Sequence, residues 1–429
     1  MTKKIVIIGT GYSGIVLAHE LLLHSNHQVQ IFGLEENDGG LAYSSRDIHH
    51  LLNVSSEKMG FSNSEHGGFY EWVRTNIGTV PQFSPRYHFK QYLIDCFLKL
   101  IDQYPERLQI IRKSVHNLLR TKEGFWVVTK DNHKFFSTVC ILATGNPPFT
   151  KIGLPGNDSI IENIYDPLAM NRIKSQDRVL IAGTSLSMVD ALLTLHHTKH
   201  QGPIIAFSRR GLIPHTHDTL HTPALIDWSD LIGKSWIRIF ERFKKEIKNH
   251  PDKDWRSILD SIRPYTQRLW YGLSPAQKMS FLRHLRPFWD THRHRIAEEA
   301  HQTVSAMVES TQLKIKAARL IKIQGKDPCS VLLKPRGITA IHEYRVDWII
   351  NCLGPDIHAC LNRPLMQNLI KNGLATASPT GIGLLTDPLG RVSENLYAVG
   401  PVCRASLWEC IAVPDIRIQA EQIVKTINI

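Results

Sequence analysis

Lys3-Lys4-Ile5-Val6-Ile7-Ile8-Gly9-Thr10-Gly11-Tyr12-Ser13-Gly14 reads as a buried strand running through a G-x-G-x-x-G turn into a helix. Each glycine has its own task. Gly9 permits the tight turn, Gly11 lets backbone approach a pyrophosphate, and Gly14 allows the helix to lie close on the strand. The helix, roughly residues 14–24, then aims its first amides, near Tyr12 and Ser13, at the phosphates. A second strand, Gln28 to Phe32, completes a βαβ-sized unit. The acidic residue expected at its end to hold a ribose is displaced: Gly33 takes the place, and Glu35, two residues on, is the candidate, with Glu36 next. A solvated loop carboxylate is the competing reading of Glu35.

Arg178-Val179-Leu180-Ile181-Ala182-Gly183-Thr184-Ser185-Leu186-Ser187-Met188-Val189-Asp190 repeats strand, turn and helix with a weaker fingerprint. Gly183 keeps the first glycine. Ser185 is small enough for backbone approach, with Leu186 and Ser187 opening the helix, and Met188 replaces the third glycine. The next strand, Pro203 to Phe207, ends in Ser208-Arg209-Arg210. Arginine there suits the 2′-phosphate of NADP, so Arg209 and Arg210 favour NADPH over NADH. A structural turn with two solvated arginines is the alternative. Two dinucleotide turns in one chain suggest electrons passing from a nicotinamide to a flavin, hence FAD and NADP as cofactors.

Composition sets the bounds. A chain of 429 residues, 42% hydrophobic and 21% charged, has room for two domains of ordinary globular character. No run of about 18 apolar residues suggests a membrane span. Met1 to Leu23 superficially resembles a signal peptide, but the glycine spacing and the interruptions at His19 and Glu20 fit a nucleotide turn better, and a cytoplasmic protein is expected. The seven cysteines contain no C-x-x-C pair, which argues against a zinc ribbon or a redox-active disulfide. The net charge of +12 favours polyanions. Cofactor phosphates satisfy that preference, and no nucleic-acid module stands out.

Downstream lie Gly39-Gly40-Leu41-Ala42-Tyr43, Leu51-Leu52-Asn53-Val54, Pro85-Arg86-Tyr87, Leu142-Ala143-Thr144-Gly145-Asn146-Pro147-Pro148, Ser208 to Gly211, Trp289 to Arg295, and Trp408-Glu409. Through these stretches the chain resembles, over nearly its whole length, a bacterial family of FAD-NAD(P)-binding proteins distantly related to flavin-containing and N-hydroxylating monooxygenases. The resemblance implies FAD contacts at Leu41, Asn53, Gly145 and Gly400. Flavoproteins usually follow the last of these glycines with an aspartate on the ribityl chain, and this chain has Pro401.

Between Gly211 and Leu313 the sequence changes character, with Trp228, Trp236, Trp255, Trp270 and Trp289 close together. Ile237, Ile239, Phe240, Phe243 and Ile247 have helical spacing with interleaved basic residues, and such a helix ordinarily docks its apolar face on the core. In His284 to Arg295 the pairs His292/Arg295 and Asp290/His294 share a helix face, without the compact ligand set of a metal site. His215, Arg293, Trp408 and Glu409 are the catalytic candidates. His215 and His217 follow the arginine strand, Trp408 has the reach to stack on the flavin, and Glu409 is a candidate proton donor or hydrogen-bond partner.

The expected fold is α/β, with two Rossmann-like dinucleotide-binding domains, the second inserted in the first. FAD would be bound by residues 1–170 and 341–429 and NAD(P) by 171–340, with a helical insert at about 211–310. The expected activity is NAD(P)H-driven flavin reduction, monooxygenase-like by resemblance, on a small-molecule substrate. A flavin reductase without oxygenation, and a non-catalytic FAD-binding regulatory or RNA-binding protein, are the alternatives.

Overall fold

The computed structural model describes residues 2–33, 40–61, 68–152, 157–218, 222–325 and 328–428. Glu35 and Glu36 lie outside the described residues. Ile5, Val6 and Ile7 are fully buried and Ile8 nearly so, as a strand covered on both faces by helices requires. The strand Lys4–Ile8 is therefore central. It pairs in parallel with Gln28–Phe32 on one side and Val139–Leu142 on the other, placing Ile7 opposite Ile31 and Ile141. The whole first sheet has the order Arg391–Ser393, Leu396–Ala398, Val139–Leu142, Lys4–Ile8, Gln28–Phe32, Leu108–Ile111. The helix Tyr12–His24 and the C-terminal helix Val413–Asn428 share the core on one face of this sheet.

A second sheet is built on Val179–Ala182, flanked in parallel by Ile204–Ser208 and Trp348–Asn351. Ile160–Ile161 pairs with Trp348–Asn351 at one edge; Leu313–Gln324, Cys329–Pro335 and His342–Val346 extend the other. The α/β class with two dinucleotide-type units, one inserted in the other, is as the sequence predicts. The boundaries differ. Ile160–Ile161 and Trp348–Asn351 both hydrogen-bond within the second sheet, so the chain changes sheets near residues 143–150 and 352–355 rather than at 170 and 341. The two passages run side by side: Phe149 and Pro355 form an antiparallel bridge, Thr150 N–H donates to Gly354 O at 3.0 Å, and Asp356 N–H donates to Pro148 O at 2.8 Å. A three-stranded antiparallel meander, Val115–Arg120, Phe125–Thr129 and Lys134–Ser137, was not anticipated.

The insert is helical, as expected. Trp236–Asn249, Trp255–Ser261, Thr266–Tyr271 and Arg286–Arg293 contribute to a core around Trp228, Ile258 and Leu269, and Pro275–His284 packs through Phe281 in a second cluster with Trp270 and Trp408. Its helices are fastened to the C-terminal segment, where Trp270 Nε1 donates to Ala405 O at 3.0 Å and Gln267 Nε2 to Glu409 O at 2.8 Å. The amphipathic helix Trp236–Asn249 docks only part of its apolar face: Ile239 and Phe243 pack on the core around Trp228, while Ile237 and Phe240 stay 52% and 38% exposed and Glu246 is the residue it buries most. The helix Arg286–Arg293 stops before Arg295, which bonds Asp260 instead, so His292 and Arg295 do not share a helical face.

Candidate functional site

The first glycine turn forms a cradle that only glycine fits. A Cβ on Gly9 would stand 2.1 Å from Ala143 O, and one on Gly14 would stand 1.9 Å from Gly9 O. Gly11 is the N-cap of the helix Tyr12–His24 and brings no side-chain cap, so the first amides point outward without an internal acceptor. Gly9, Gly11, Tyr12, Ser13 and Gly145 line one cavity of about 410 Å³ together with Pro401 and Arg363. The Tyr12 ring itself is buried and its hydroxyl donates to Gly60 O at 2.9 Å, so this residue offers the cavity its backbone. Gly400, with a φ of +74°, sits where a Cβ would come within 2.8 Å of Ser13 Oγ, and its N–H donates to Gln419 Oε1 at 3.0 Å. Leu41 begins a short 3-10 helix to Tyr43.

Arg363 is a wall of this cavity that the sequence reading missed. Its guanidinium donates to Thr144 O at 2.7 Å and to Asn146 O, tying down the loop after Leu142. Among the described residues it has no carboxylate partner. Burial lowers its pKa from the ordinary arginine value, and a phosphate there would restore the balance.

Ala42, Tyr43, Asn146 and Ile411 also line a second cavity, of about 480 Å³, so the two spaces adjoin. Here three parts of the chain converge. Asn53 and Lys58 come from the first unit, Ser185, Leu186 and Ser187 from the second turn, and Arg263, Asp290, Arg293 and His294 from the insert. Gly183 repeats the logic of Gly9, its φ being +113° and its missing Cβ 2.1 Å from Cys352 O. The second turn is held from below by Asp190, three residues beyond Ser187. Its carboxylate accepts from Arg86, and from Tyr165 Oη at 3.2 Å. Arg86, quoted above only for its place in the resemblance, is thus an anchor between the two units.

The candidate catalytic residues separate. Arg293 lines the 480 Å³ cavity; His215 does not. His215 is exposed, with its ring 5.3 Å from Trp255 and 4.4 Å from His292. His217 takes the position instead, its Nε2 donating to Asn53 O at 3.0 Å. Trp408 is buried behind the wall, and its ring lies 4.8 Å from Trp270. Glu409 is also buried. Its Oε1 accepts from Trp289 Nε1 at 2.8 Å and its Oε2 lies 3.8 Å from Arg293 Nε. Burial pushes the Glu409 carboxyl up, but Arg293 and His294 outweigh it and hold the acid below its ordinary value. Glu409 is therefore an ionised acceptor that orients Arg293, and the proton-donor reading is set aside. Arg209 is exposed beyond the end of Ile204–Ser208. Arg210 turns elsewhere, over the Phe288 ring at 5.0 Å, with weak 3.4 Å contacts to Arg283 O and His284 O.

Burial, with Arg295 nearby, pushes the His217 pKa down to about 4 from 6.5. Between those values the unfolded imidazole binds a proton and the folded one does not, so folding stability must fall as pH drops from 6.5 toward 4. The His217→Gln variant is expected to flatten that part of a denaturant-midpoint against pH profile; an unchanged slope would contradict the assignment.

Among the described residues, no group of His, Cys, Asp and Glu is arranged to hold a metal ion. No helix among them is long and apolar enough to cross a membrane.

Residues 6–147 match the FAD-NAD(P)-binding family. The match covers the first turn and its strand partners, and it agrees with the expectation of FAD and a nicotinamide dinucleotide as cofactors. No curated protein matches the sequence. Three solved structures share the fold along the whole chain. Ornithine N-hydroxylase from Kutzneria sp. 744, solved with reduced FAD, NADP+ and L-ornithine, has 14% identity and a TM-score of 0.67, covering 100% of this chain and 99% of its own. L-lysine 6-monooxygenase from Pseudomonas syringae has 14% identity and a TM-score of 0.66, covering 99% of each chain. The FAD-bound cadaverine monooxygenase of desferrioxamine biosynthesis from Erwinia amylovora has 10% identity and a TM-score of 0.69, covering 100% of this chain and 94% of its own. At these identities the likeness concerns the fold, which is that of two-nucleotide flavoproteins.

Proposed function

We propose that the chain is an FAD-dependent, NADPH-oxidising monooxygenase acting on a small aliphatic amine. The observation that carries this reading is the 480 Å³ cavity on which the first unit, the second glycine turn and the insert converge. In this reading the amides after Gly11, with Arg363, would hold the pyrophosphate of FAD. Ser185 to Ser187 would hold the phosphates of the nicotinamide dinucleotide, and Arg209 a 2′-phosphate. Bound together, the two cofactors supply hydride transfer and the reduction of oxygen, chemistry that no side chain here provides.

The residues of the chain position and shield. Neutral His217 offers an uncharged polar edge beside Asn53. Arg293 contributes a fixed positive charge, steadied by Glu409. Asp290 lines the cavity, its Oδ2 accepting from Arg286 Nε at 3.1 Å and its Oδ1 4.0 Å from His294 Nε2, and is an acidic side chain of the insert on this wall for an ammonium group to approach. The three structural neighbours, named for ornithine, lysine and cadaverine, support the amine.

The test is to follow the flavin spectrum without oxygen while NADPH or NADH is added, then to admit oxygen with and without diaminoalkanes. Bleaching by NADPH, followed by amine-dependent oxygen consumption with hydroxylated product, supports the proposal. Bleaching with peroxide release whatever the amine would leave a reductase. No bleaching would leave a protein that only binds FAD. Arg209→Ala should raise KM for NADPH roughly tenfold to a hundredfold, the worth of a charge-assisted phosphate contact, and leave NADH unaffected.

A further inference from the structure

A separate cavity of about 150 Å³ lies among the helices of the insert, lined by none of the nucleotide-turn residues. Its walls include Ile239, Phe243, Leu269, Trp270, Phe281 and Trp408, and Thr266 and His292 are the polar exceptions. Apolar walls of this kind hold water poorly, and a hydrocarbon guest entering from the open rim restores the dispersion contacts they otherwise forfeit. At its rim stand Phe240 and Phe288, 38% and 39% exposed. Each carries a cation on its ring: Lys244 Nζ lies 5.0 Å from the Phe240 centroid, and Arg210 Cζ lies 5.0 Å from that of Phe288. Neither cation has an ion-pair partner among the described residues. Lys245 and Lys248 on the same helix add to the positive field, while Arg238 is paired with Glu241 at 3.2 Å.

We propose that this cavity binds the hydrocarbon chain of a free fatty-acid anion, with the chain against Trp270 and Trp408 and the carboxylate at Lys244 and Arg210. The apolar interior accounts for the chain and the ring-stacked cations for the sign of the head group. Trp289 lines the same cavity and donates to Glu409, whose other oxygen lies 3.8 Å from Arg293 Nε, so Trp289 is a wall between this cavity and the larger one.

The test uses the flavin-loaded protein titrated with decanoate, decanol and decylamine below their micelle concentrations, read by tryptophan fluorescence and by calorimetry. Decanoate should bind at least tenfold more tightly than decylamine. Lys244→Glu, on an exposed helix face, should weaken decanoate about tenfold and leave decanol unchanged. Leu269→Trp, which fills the void, should abolish all three. Absence of decanoate binding, equal affinity for decylamine, or undiminished binding by a folded Leu269→Trp variant would overturn the proposal. So would binding to anionic phospholipid vesicles without any response to decanoate.

Discussion

Asp190→Ala is expected to lower folding stability by about 3–5 kcal/mol, the usual cost of removing one partner of a buried ion pair. The Asp190 side chain is 4% exposed and that of Arg86 14%. Arg86 reaches it from the first unit, and further along the helix Leu186–His197 that carries Asp190, Thr194 Oγ1 meets His50 Nε2 at 2.9 Å and donates to Asp47 Oδ2 at 2.8 Å. Without Asp190 a largely buried guanidinium loses its carboxylate partner and keeps the Tyr165 hydroxyl, 3.4 Å away. Denaturant unfolding measures the loss. A double change, Arg86→Met with Asp190→Leu, removes the charge together with its partner and should recover most of the stability. If Asp190→Ala costs under about 1 kcal/mol, the pair is solvated and the anchor between units is elsewhere.

Gly9→Ala should yield protein that holds no FAD. At this residue φ is +126° and the added methyl would stand 2.1 Å from a backbone carbonyl, Ala143 O, which directly follows the strand Val139–Leu142 and whose residue is tied down by its N–H to Ile8 O at 2.9 Å. Gly373 is the control, because it lines neither nucleotide cavity. It too has positive φ, at +69°, but nothing lies within 4 Å of its absent Cβ. Gly373→Ala should therefore cost only the backbone term, about 1–2 kcal/mol, and keep its flavin. Flavin absorbance per protein after purification decides both, and a yellow Gly9→Ala protein would sink the cradle assignment.

The turns were legible because their constraint is local: a glycine with nowhere for a Cβ writes itself into the sequence as glycine. The sheet boundaries were not. Trp348-Ile349-Ile350-Asn351 is an apolar run that suits either sheet, and only its pairing with Leu180 and Ile181 decides. The site suffered in the same way. Arg86, Arg363 and His217 reach their cavities across separations of about a hundred residues or more from their partners, and no periodicity reports that. The composition around Trp289 to Arg295 did mark Arg293 and Asp290. It could not show that Glu409 lies behind Arg293, ionised, instead of facing the reaction.

The paired passages at Phe149 and Pro355 have a bearing on how the chain is assembled. Both ends of residues 151–353 leave through one hydrogen-bonded ribbon, so the inserted unit has neighbouring termini and the host sheet closes without it. Excising the unit would ask the host chain for no more than a tight turn at that one place. What seats the unit on its host is a separate set of contacts, Asp190 with Arg86, His217 with Asn53, Trp270 with Ala405 and Gln267 with Glu409.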